Sequence, residues 1–533
     1  MPAADLILIA RHVHTLDPAR PAAQAVAISG GTITAVGDRD DVSAWRGNHT
    51  EVLDLGAATL TPGLVDGHVH PVMGLDLTAG IDLTGVRSPR ELVQALRTAL
   101  PTEGWVRGWG LDPNAFQGAP ITSAPLVEAL GPDVPVYLVL FDAHSALVSP
   151  KALELAGIRG PQEFRSGAQI VLGPDATPTG HLLELEAMGL VSRLLPAESG
   201  PQRRKRLLGL LQDMAASGLT AVNAMDFEGD SEQLFTALEA EGDLPLRLRF
   251  APFVLPEHGR GRLEHVVQQQ RLRGRRWAVE GAKFMIDGTI DGGTAWLDEA
   301  DTHGGSTAPF WPDPQEYRDA VRYLADRDVP TVTHAIGDAG IRYVLETVAG
   351  LRTGPRVPHR IEHIETLPDD LVPRFRQLDV TASMQPTHCT HYTRADGSDN
   401  WSERLGKDRA ARGFRTRDLR EAGARLALGS DWPIAPFDPR AIIADARLRR
   451  IAGDPHHEPV GPDQALTARM ALEGYTSQAA QAAGLAGRAG AVRPGLRADL
   501  SAFALDPLTA DPDEFAQSPV PLTIVDGSIV HRG

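Results

Sequence analysis

The sequence predicts an α/β protein: a (β/α)8 TIM-like barrel with an inserted subdomain and a small discontinuous β-sandwich domain made from both chain ends. Three observations lead to this fold class. Strand-like patterns occupy both ends of the chain, and short apolar runs alternate with amphipathic helical stretches between them. One connection in that middle region is also too long for a single crossover.

The two chain ends contain short strand-like runs, at residues 5–10, 25–36, 498–505 and 523–530. Neither end is long enough to form a good sheet by itself. We therefore expect residues 1–60 and 485–533 to pair into one small β domain.

Between the ends lie eight apolar, strand-like segments, at 59–66, 220–225, 246–254, 282–286, 330–334, 360–363, 380–385 and 425–429. Helical stretches separate several of them, at 201–216, 313–326 and 338–348. Alternating βα units with nearly all-apolar strands are typical of a parallel sheet, and eight such strands are typical of a barrel. Residues 61–484 are predicted to form this barrel, with an insertion at about 75–215 after its first strand.

The composition excludes several classes of function. A net charge of -17 makes nucleic acid and anionic membranes unsuitable general partners. Cys389 is the single cysteine, which excludes an intramolecular disulfide, a Cys-rich zinc module and a CxxC redox centre. No segment has the pattern of a targeting signal, and no apolar run reaches the roughly 18 residues of a membrane span. We expect a cytoplasmic enzyme.

A His-x-His pair ends the first predicted barrel strand. In an extended strand His68 and His70 point to the same side, so both imidazoles can bind one metal ion. By itself such a pair is weak evidence, because buried histidines are often structural. His12 and His14 have the same spacing in the predicted terminal β domain, without further candidate ligands nearby, and we interpret them as surface β structure.

Three more polar residues lie at the ends of strand-like runs. They are His334, His363 and Asp431. A barrel of this kind carries its functional residues at the carboxyl-terminal ends of its strands. A buried structural histidine is the alternative for each of the first two, and a helix cap or turn is the alternative for the aspartate.

Lys283 is the only one of four lysines that lies inside an apolar strand-like run. Burying an ammonium group is costly unless the group is paired or loses its charge. A salt bridge to an acid such as Asp287 is the structural alternative to a neutral, reactive amine.

Taken together, two histidines, a lysine, two single histidines and an aspartate in this strand order resemble the amidohydrolase superfamily. Within it the chain resembles the family-3 (YtcJ-like) branch, which includes N-substituted formamide deformylases. The resemblance covers nearly the whole chain, and the further matching segments are 61–68, 142–153, 178–184, 283–289, 334–338 and 429–433.

The resemblance implies a site with two divalent metal ions. The ligands it implies are His68, His70 and Asp431 for one ion, His334 and His363 for the second, and a carbamylated Lys283 bridging both. With no thiolate among these ligands zinc is the expected metal, and manganese or iron is the alternative. The implied chemistry is attack of metal-bound hydroxide on the carbonyl of a non-peptide C–N bond, with Asp431 as the proton shuttle.

Candidates for substrate binding are fewer. His144 lies in a matching segment of the insertion, and Trp109 and Trp432 are candidates for an apolar wall. A structural role is the alternative for all three. His388 is a lesser candidate for lining the pocket, and His391 a weaker one still.

Two other functions remain open from the sequence. One is a mononuclear deaminase or cyclic-amide hydrolase on the same fold, and the other is a catalytically silent binding or regulatory protein. The expected partner is a small amide-type substrate, and the sequence leaves open whether the chain forms a homo-oligomer.

Overall fold

The computed structural model describes residues 3–164, 167–352 and 354–533, and its strands form four sheets. One eight-stranded sheet contains both chain ends: Leu6–His14, Ala22–Ser29, Thr32–Gly37, Glu51–Asp54, Thr59–Pro62, Leu500–Phe503, Leu522–Val525 and Ser528–Arg532. Thr59–Pro62 pairs in parallel with Leu6–His14 and antiparallel with Leu500–Phe503, so it joins the two ends. The helices beside this sheet are Val42–Trp45 and Pro512–Ala516.

Two parallel sheets form the middle of the molecule. Their strands are β1 (Leu64–Val69), β2 (Leu219–Ala224), β3 (Arg247–Phe250), β4 (Trp277–Val279), β5 (Ala282–Met285), β6 (Thr331–Ala335), β7 (Arg360–His363), β8 (Thr381–Met384) and β9 (Leu426–Leu428). The first sheet has the order β4-β3-β2-β1, and the second runs from β5 to β9 in sequence order. Parallel bridges from Phe253 to Lys283 and from Val69 to Trp432 connect the two sheets. This is a TIM-barrel-like α/β arrangement, in which the carboxyl ends of the strands meet on one side.

The helices around these strands have buried residues, except Lys407–Ala410. They are Gly200–Ala216, Ser231–Glu241, Gly259–Gln269, Pro314–Ala325, Asp338–Ala349, Val372–Gln377, Pro386–Tyr392, Asn400–Leu405, Lys407–Ala410, Thr416–Glu421, Pro439–Leu448, Ala468–Gly474 and Ser477–Ala482. In the described part of the chain, no helix has both the length and the apolarity needed to cross a bilayer.

A six-stranded sheet lies between β1 and β2 in the sequence, where the insertion is predicted. Its strands are Ile81–Asp82, Val106–Leu111, Val136–Leu140, Ser145–Val148, Gln169–Leu172 and Pro178–Leu183. The accompanying helices are Met73–Leu77, Pro89–Arg97, Ala124–Leu130, Pro150–Leu155 and Glu184–Ser192.

One predicted strand is two strands in the structure. Residues 59–66 are predicted as the first barrel strand, but Thr59–Pro62 belongs to the terminal sheet and β1 begins at Leu64. Gly63 lies at the break, where its N–H donates to the Asp499 carbonyl at 2.8 Å. A Cβ atom at this position would lie 2.3 Å from Thr220 Oγ1, so the close approach of the two sheets requires glycine.

Candidate metal centre

The predicted metal ligands come together at the carboxyl ends of the parallel strands. They lie within or directly after β1, β5, β6, β7 and β9, and every one is buried: His68, His70, Lys283, His334, His363 and Asp431. The register of the parallel strands explains their convergence, because residues at the ends of neighbouring strands meet at one edge.

Three donor atoms form a nearly equilateral triangle. His68 Nε2, His70 Nε2 and Asp431 Oδ1 are separated pairwise by 3.3 Å. A tetrahedral ion with metal–ligand distances of about 2.0–2.1 Å has ligand–ligand edges of about 3.3–3.4 Å. Asp431 Oδ1 is buried and has no hydrogen-bond partner in the structure. The triangle therefore fits one face of a tetrahedral metal site.

Each of three histidines has one ring nitrogen fixed by a neighbour. His68 Nδ1 lies 2.6 Å from Glu362 Oε2, and His363 Nδ1 lies 2.9 Å from Gln385 Oε1. His334 Nε2 lies 3.1 Å from the Gly288 carbonyl. Such contacts set the tautomer and orientation of a metal-binding imidazole, leaving the other nitrogen as the ligand.

The rings of His334 and His363 lie side by side, with centroids 4.6 Å apart, and the His68 ring is 4.9 Å from that of His363. Burial lowers the pKa of all three imidazoles well below the usual value, with help from nearby cationic groups. Neutral imidazoles are the form that binds metal ions.

Lys283 points into the same site, with Nζ 3.4 Å from His68 Nε2. Burial lowers the pKa of its ammonium group to about 8, although the negative charges of Glu362 and Asp431 act to raise it. In the structure Lys283 does not form a salt bridge with Asp287, which is the structural alternative that the sequence allows. The Asp287 carboxylate instead accepts hydrogen bonds from the backbone N–H groups of three residues at 2.8–3.1 Å: Trp296, Ile336 and Gly337.

Asp431 directs its carboxylate into the site from a left-handed backbone conformation, with φ 58°. Its N–H donates to the His68 carbonyl at 2.7 Å, which ties the loop after β9 to β1. Burial alone would raise the pKa of Asp431, but His68, His70 and His388 together hold it below the usual range. The group is therefore a carboxylate, the form that binds a cation.

A cavity opens onto five of the six predicted ligands, which are His70, Lys283, His334, His363 and Asp431. Its wall includes His144, which the insertion supplies. His144 Nδ1 lies 2.8 Å from Glu184 Oε2, and its ring centroid is 5.1 Å from that of His334. Burial by itself would lower the pKa of His144, but the carboxylates of Glu184 and Asp142 raise it to about 9.

His388 has a larger place in the site than its sequence context indicates. It is 8% exposed, lines the cavity and brings Nε2 to 3.5 Å from Asp431 Oδ2. Its Nδ1 lies 3.6 Å from Glu365 Oε1. With His363 and Asp431 it forms a second group of three donors close enough to hold an ion. The signal in the sequence is its position directly after β8, at the same edge as the other ligands.

Trp109 and Trp432 do not line this cavity, which corrects the expectation that they form its apolar wall. They line a neighbouring cleft instead. Tyr392 and Ile434 line both spaces, and the Tyr392 hydroxyl donates to the Ile434 carbonyl between them. Trp432 packs against Gly74, where a Cβ atom would lie 2.3 Å from the indole.

His391, His12 and His14 lie away from the site. His391 faces the neighbouring cleft and lies 3.3 Å from Asp445 Oδ2. His14 is in the terminal sheet, 2.8 Å from Asp506 Oδ1, and His12 is exposed on the same strand.

A TIM-barrel-like fold with buried histidines and a carboxylate at the carboxyl ends of its strands defines a metal-dependent hydrolase. Comparison with known proteins makes this more specific. The model of the Amidohydrolase family (Amidohydro_3) matches residues 51–531, and the chain belongs to this family. It is an enzyme, a hydrolase acting on carbon–nitrogen bonds other than peptide bonds.

Similar proteins match over nearly the full length. The chain is 27% identical to an N-substituted formamide deformylase of Arthrobacter pascens, over 98% of this chain and 97% of the deformylase. It is 26% identical to the putative amidohydrolase YtcJ of Bacillus subtilis, over 96% of each chain. An uncharacterised metal-dependent hydrolase from Pyrococcus horikoshii shares the fold, with a TM-score of 0.72, 24% identity and coverage of 95% of this chain and 99% of the other.

Proposed function

We propose that the protein hydrolyses the amide-type bond of a small N-acyl or N-formyl amine, using two zinc ions bridged by a carbamylated Lys283. The triangle of His68, His70 and Asp431 donor atoms carries this proposal, because its 3.3 Å edges match a tetrahedral metal site. The similarity to a formamide deformylase supports an amide-type substrate.

The remaining ligands in this proposal are His334 and His363 for the second ion, with Lys283 between the two sites. A lysine that is desolvated and partly neutral can react with carbon dioxide to give an anionic oxygen ligand. Bound there, two divalent cations supply Lewis-acid polarisation of the substrate carbonyl and a water of lowered pKa.

Asp431 is the proposed proton carrier of the reaction. Its second oxygen, Oδ2, lies 3.5 Å from His388 Nε2. Asp431 lines the cavity, so this carboxylate can accept a proton from water there. It then delivers the proton to the nitrogen of the breaking C–N bond. The nitrogen requires this proton because an amide anion is a very poor leaving group.

His144 is proposed to hold the substrate carbonyl. Its Nδ1 is fixed by Glu184, which leaves Nε2–H free to donate toward the cavity. A positively charged donor at this position stabilises the negative charge that develops on the carbonyl oxygen in the transition state.

This role predicts a pH dependence. Because the pKa of His144 is raised to about 9, its cationic form is present below that pH and is lost above it. We expect kcat/KM to fall as pH rises through about 9 and His144→Gln to lower kcat/KM by at least about 10²-fold, comparable to loss of an oxyanion donor. The variant should also lack the alkaline decline. An unchanged decline in the variant would assign it to another group.

Glu362 is predicted to be a positioning residue for His68. It is fully buried, accepts from His68 and is paired with Arg360 at 2.9 Å. Glu362→Gln should weaken zinc binding about 10- to 100-fold, since partners of metal-binding imidazoles contribute on this scale. The measurement is competition for zinc with a chelator. Glu316→Gln, an exposed change on Pro314–Ala325, is the matched control and should leave zinc affinity unchanged.

The proposal is tested by screening zinc-loaded and metal-stripped protein against N-formyl amines, N-acetyl amines, cyclic amides, carbamates, lactones and aminopurines. Turnover of acyclic amides that requires metal supports it. Metal-dependent release of ammonia from aminopurines, with no turnover of acyclic amides, would replace it by a deaminase.

A mononuclear deaminase or cyclic-amide hydrolase is the second candidate function. The observation that favours it is that His68, His70 and Asp431 already form a three-ligand group without Lys283. A catalytically silent binding protein is not retained as a candidate, because the chain is an enzyme of the Amidohydrolase family.

We also propose the domain division predicted above. Residues 1–60 with 485–533 would form the β-sandwich domain, and 61–484 a closed (β/α)8 barrel with its insertion at about 75–215. In this barrel β4 and β5 count as one interrupted strand, because both pair with β3 or the residues directly after it. Sheet membership supports this division, apart from Thr61 and Pro62, which pair with the terminal sheet. A cytoplasmic location remains a prediction.

A further inference from the structure

A second pocket lies at the opposite end of the strands from the metal ligands. Its wall includes Val65 at the start of β1, Arg247 at the start of β3 and Trp277 at the start of β4. The segment between Ser477–Ala482 and Leu500–Phe503 closes one side. The pocket shares no lining residue with the metal cavity.

This pocket is strongly cationic although the chain as a whole carries a charge of -17. Among the described residues, seven arginines and one carboxylate, Glu280, line it.

Three of the arginines have partners elsewhere. Arg247 pairs with Asp499 and Asp526, Arg275 pairs with Asp243, and Arg276 donates to backbone carbonyls. The other four are Arg249, Arg273, Arg488 and Arg497. Within the described chain, Arg249 has one carboxylate neighbour, Glu280 at 3.6 Å, and the remaining three form no salt bridge.

Arg249 is the central observation. Its side chain is 8% exposed, and none of its three guanidinium nitrogens has a hydrogen-bond partner. The nearest carboxylate oxygen, on Glu280, is 3.6 Å from Nε. Leaving the donors of a buried guanidinium unsatisfied is costly, so such a group is expected to meet an acceptor that fills the pocket.

The positive charges of the neighbouring arginines also favour a bound anion in this pocket. Burial lowers the pKa of Arg249 to about 10, and burial together with the charges of Arg247 and Arg488 lowers the pKa of Arg497. A bound anion would relieve both effects. Trp277 Nε1 is a further buried donor in the pocket wall without a partner.

We propose that this pocket binds the phosphate group of a small molecule. Guanidinium groups bind phosphate oxygens through paired N–H donors, and several of them around one recess favour a dianion over chloride. The recess at the amino-terminal ends of the strands accommodates a small ligand. The site is separate from catalysis, so it does not depend on the function proposed above.

Titration of the full-length protein with inorganic phosphate and with glycerol phosphate tests the proposal. Calorimetry and thermal unfolding would be measured on metal-loaded and chelator-stripped protein, with ionic strength held constant by sodium chloride. We expect saturable binding and a rise in Tm that follows the phosphate concentration, in both metal states. Tighter binding of glycerol phosphate would identify an ester, and equal or weaker binding would identify free phosphate.

Variants of the pocket separate this site from the metal centre, where phosphate could also bind. Arg488→Gln and Arg497→Gln should each weaken binding at least about tenfold, as expected for loss of a charged hydrogen bond. Arg249→Met should abolish the response while leaving Tm without phosphate unchanged or higher, because a buried guanidinium without hydrogen-bond partners is removed. Arg159→Gln, an exposed change in the insertion, is the matched control.

Two results would overturn the proposal. One is a phosphate response equal to that of chloride at the same ionic strength. The other is undiminished phosphate binding in Arg488→Gln, Arg497→Gln and Arg249→Met, which would place the ligand elsewhere on the protein.

Discussion

Asp431→Asn is expected to lower kcat/KM by about 10²- to 10⁴-fold, the usual contribution of general acid–base catalysis. The amide keeps the volume of the carboxylate, but it cannot accept a proton from water or return one to the leaving nitrogen. It also removes a negative charge from the triangle with His68 and His70. Steady-state kinetics on a substrate found by screening, together with metal analysis of the same samples, is the measurement.

The matched control for this change is Asp319→Asn, on the exposed face of Pro314–Ala325, which should retain full activity. Turnover of Asp431→Asn at the wild-type rate would exclude the proposed proton transfer. A loss of activity that excess zinc fully restores would limit Asp431 to metal binding.

Lys283→Ala is expected to lower the metal content from two ions to one per chain and kcat/KM by at least about 10³-fold. The physical reason is that removing the bridging ligand leaves His334 and His363 as a two-ligand site, and metal-based charge stabilisation contributes several kcal/mol. Metal content after dialysis is measured alongside kinetics, and mass spectrometry of the intact wild-type protein detects the carbamate.

Lys205→Ala is the matched lysine control, since Lys205 is exposed on Gly200–Ala216 and outside the site. One ion per chain in the wild type, unchanged in Lys283→Ala, would contradict the two-metal site. It would favour the mononuclear alternative, in which the triangle of His68, His70 and Asp431 acts alone.

The strand pattern allowed much of the fold to be predicted. Runs such as 330–334 and 360–363 are strand-like and end in a histidine, and the structure forms β6 and β7 there. Boundaries were less predictable where two sheets meet. Residues 59–66 read as one strand-like run, and only contact with Thr220 and Asp499 shows why the chain breaks at Gly63.

The surroundings of the site depend on contacts between distant parts of the chain. Glu362 and His68 are 294 residues apart, and nothing in either local pattern indicates that they form a 2.6 Å contact. Trp109 and Trp432 have suitable chemistry for a substrate wall, yet their rings line a different cleft.

By itself, the sequence determined which residue types end the barrel strands and in what order, because strand periodicity and residue chemistry are local properties. The tertiary structure decided how these side chains meet. It fixed the 3.3 Å triangle, brought His388 to Asp431 and left the Arg249 guanidinium without a hydrogen-bond partner in a separate pocket. These relations depend on how the parallel sheets pack and align, since that alone sets the distances between residues hundreds of positions apart.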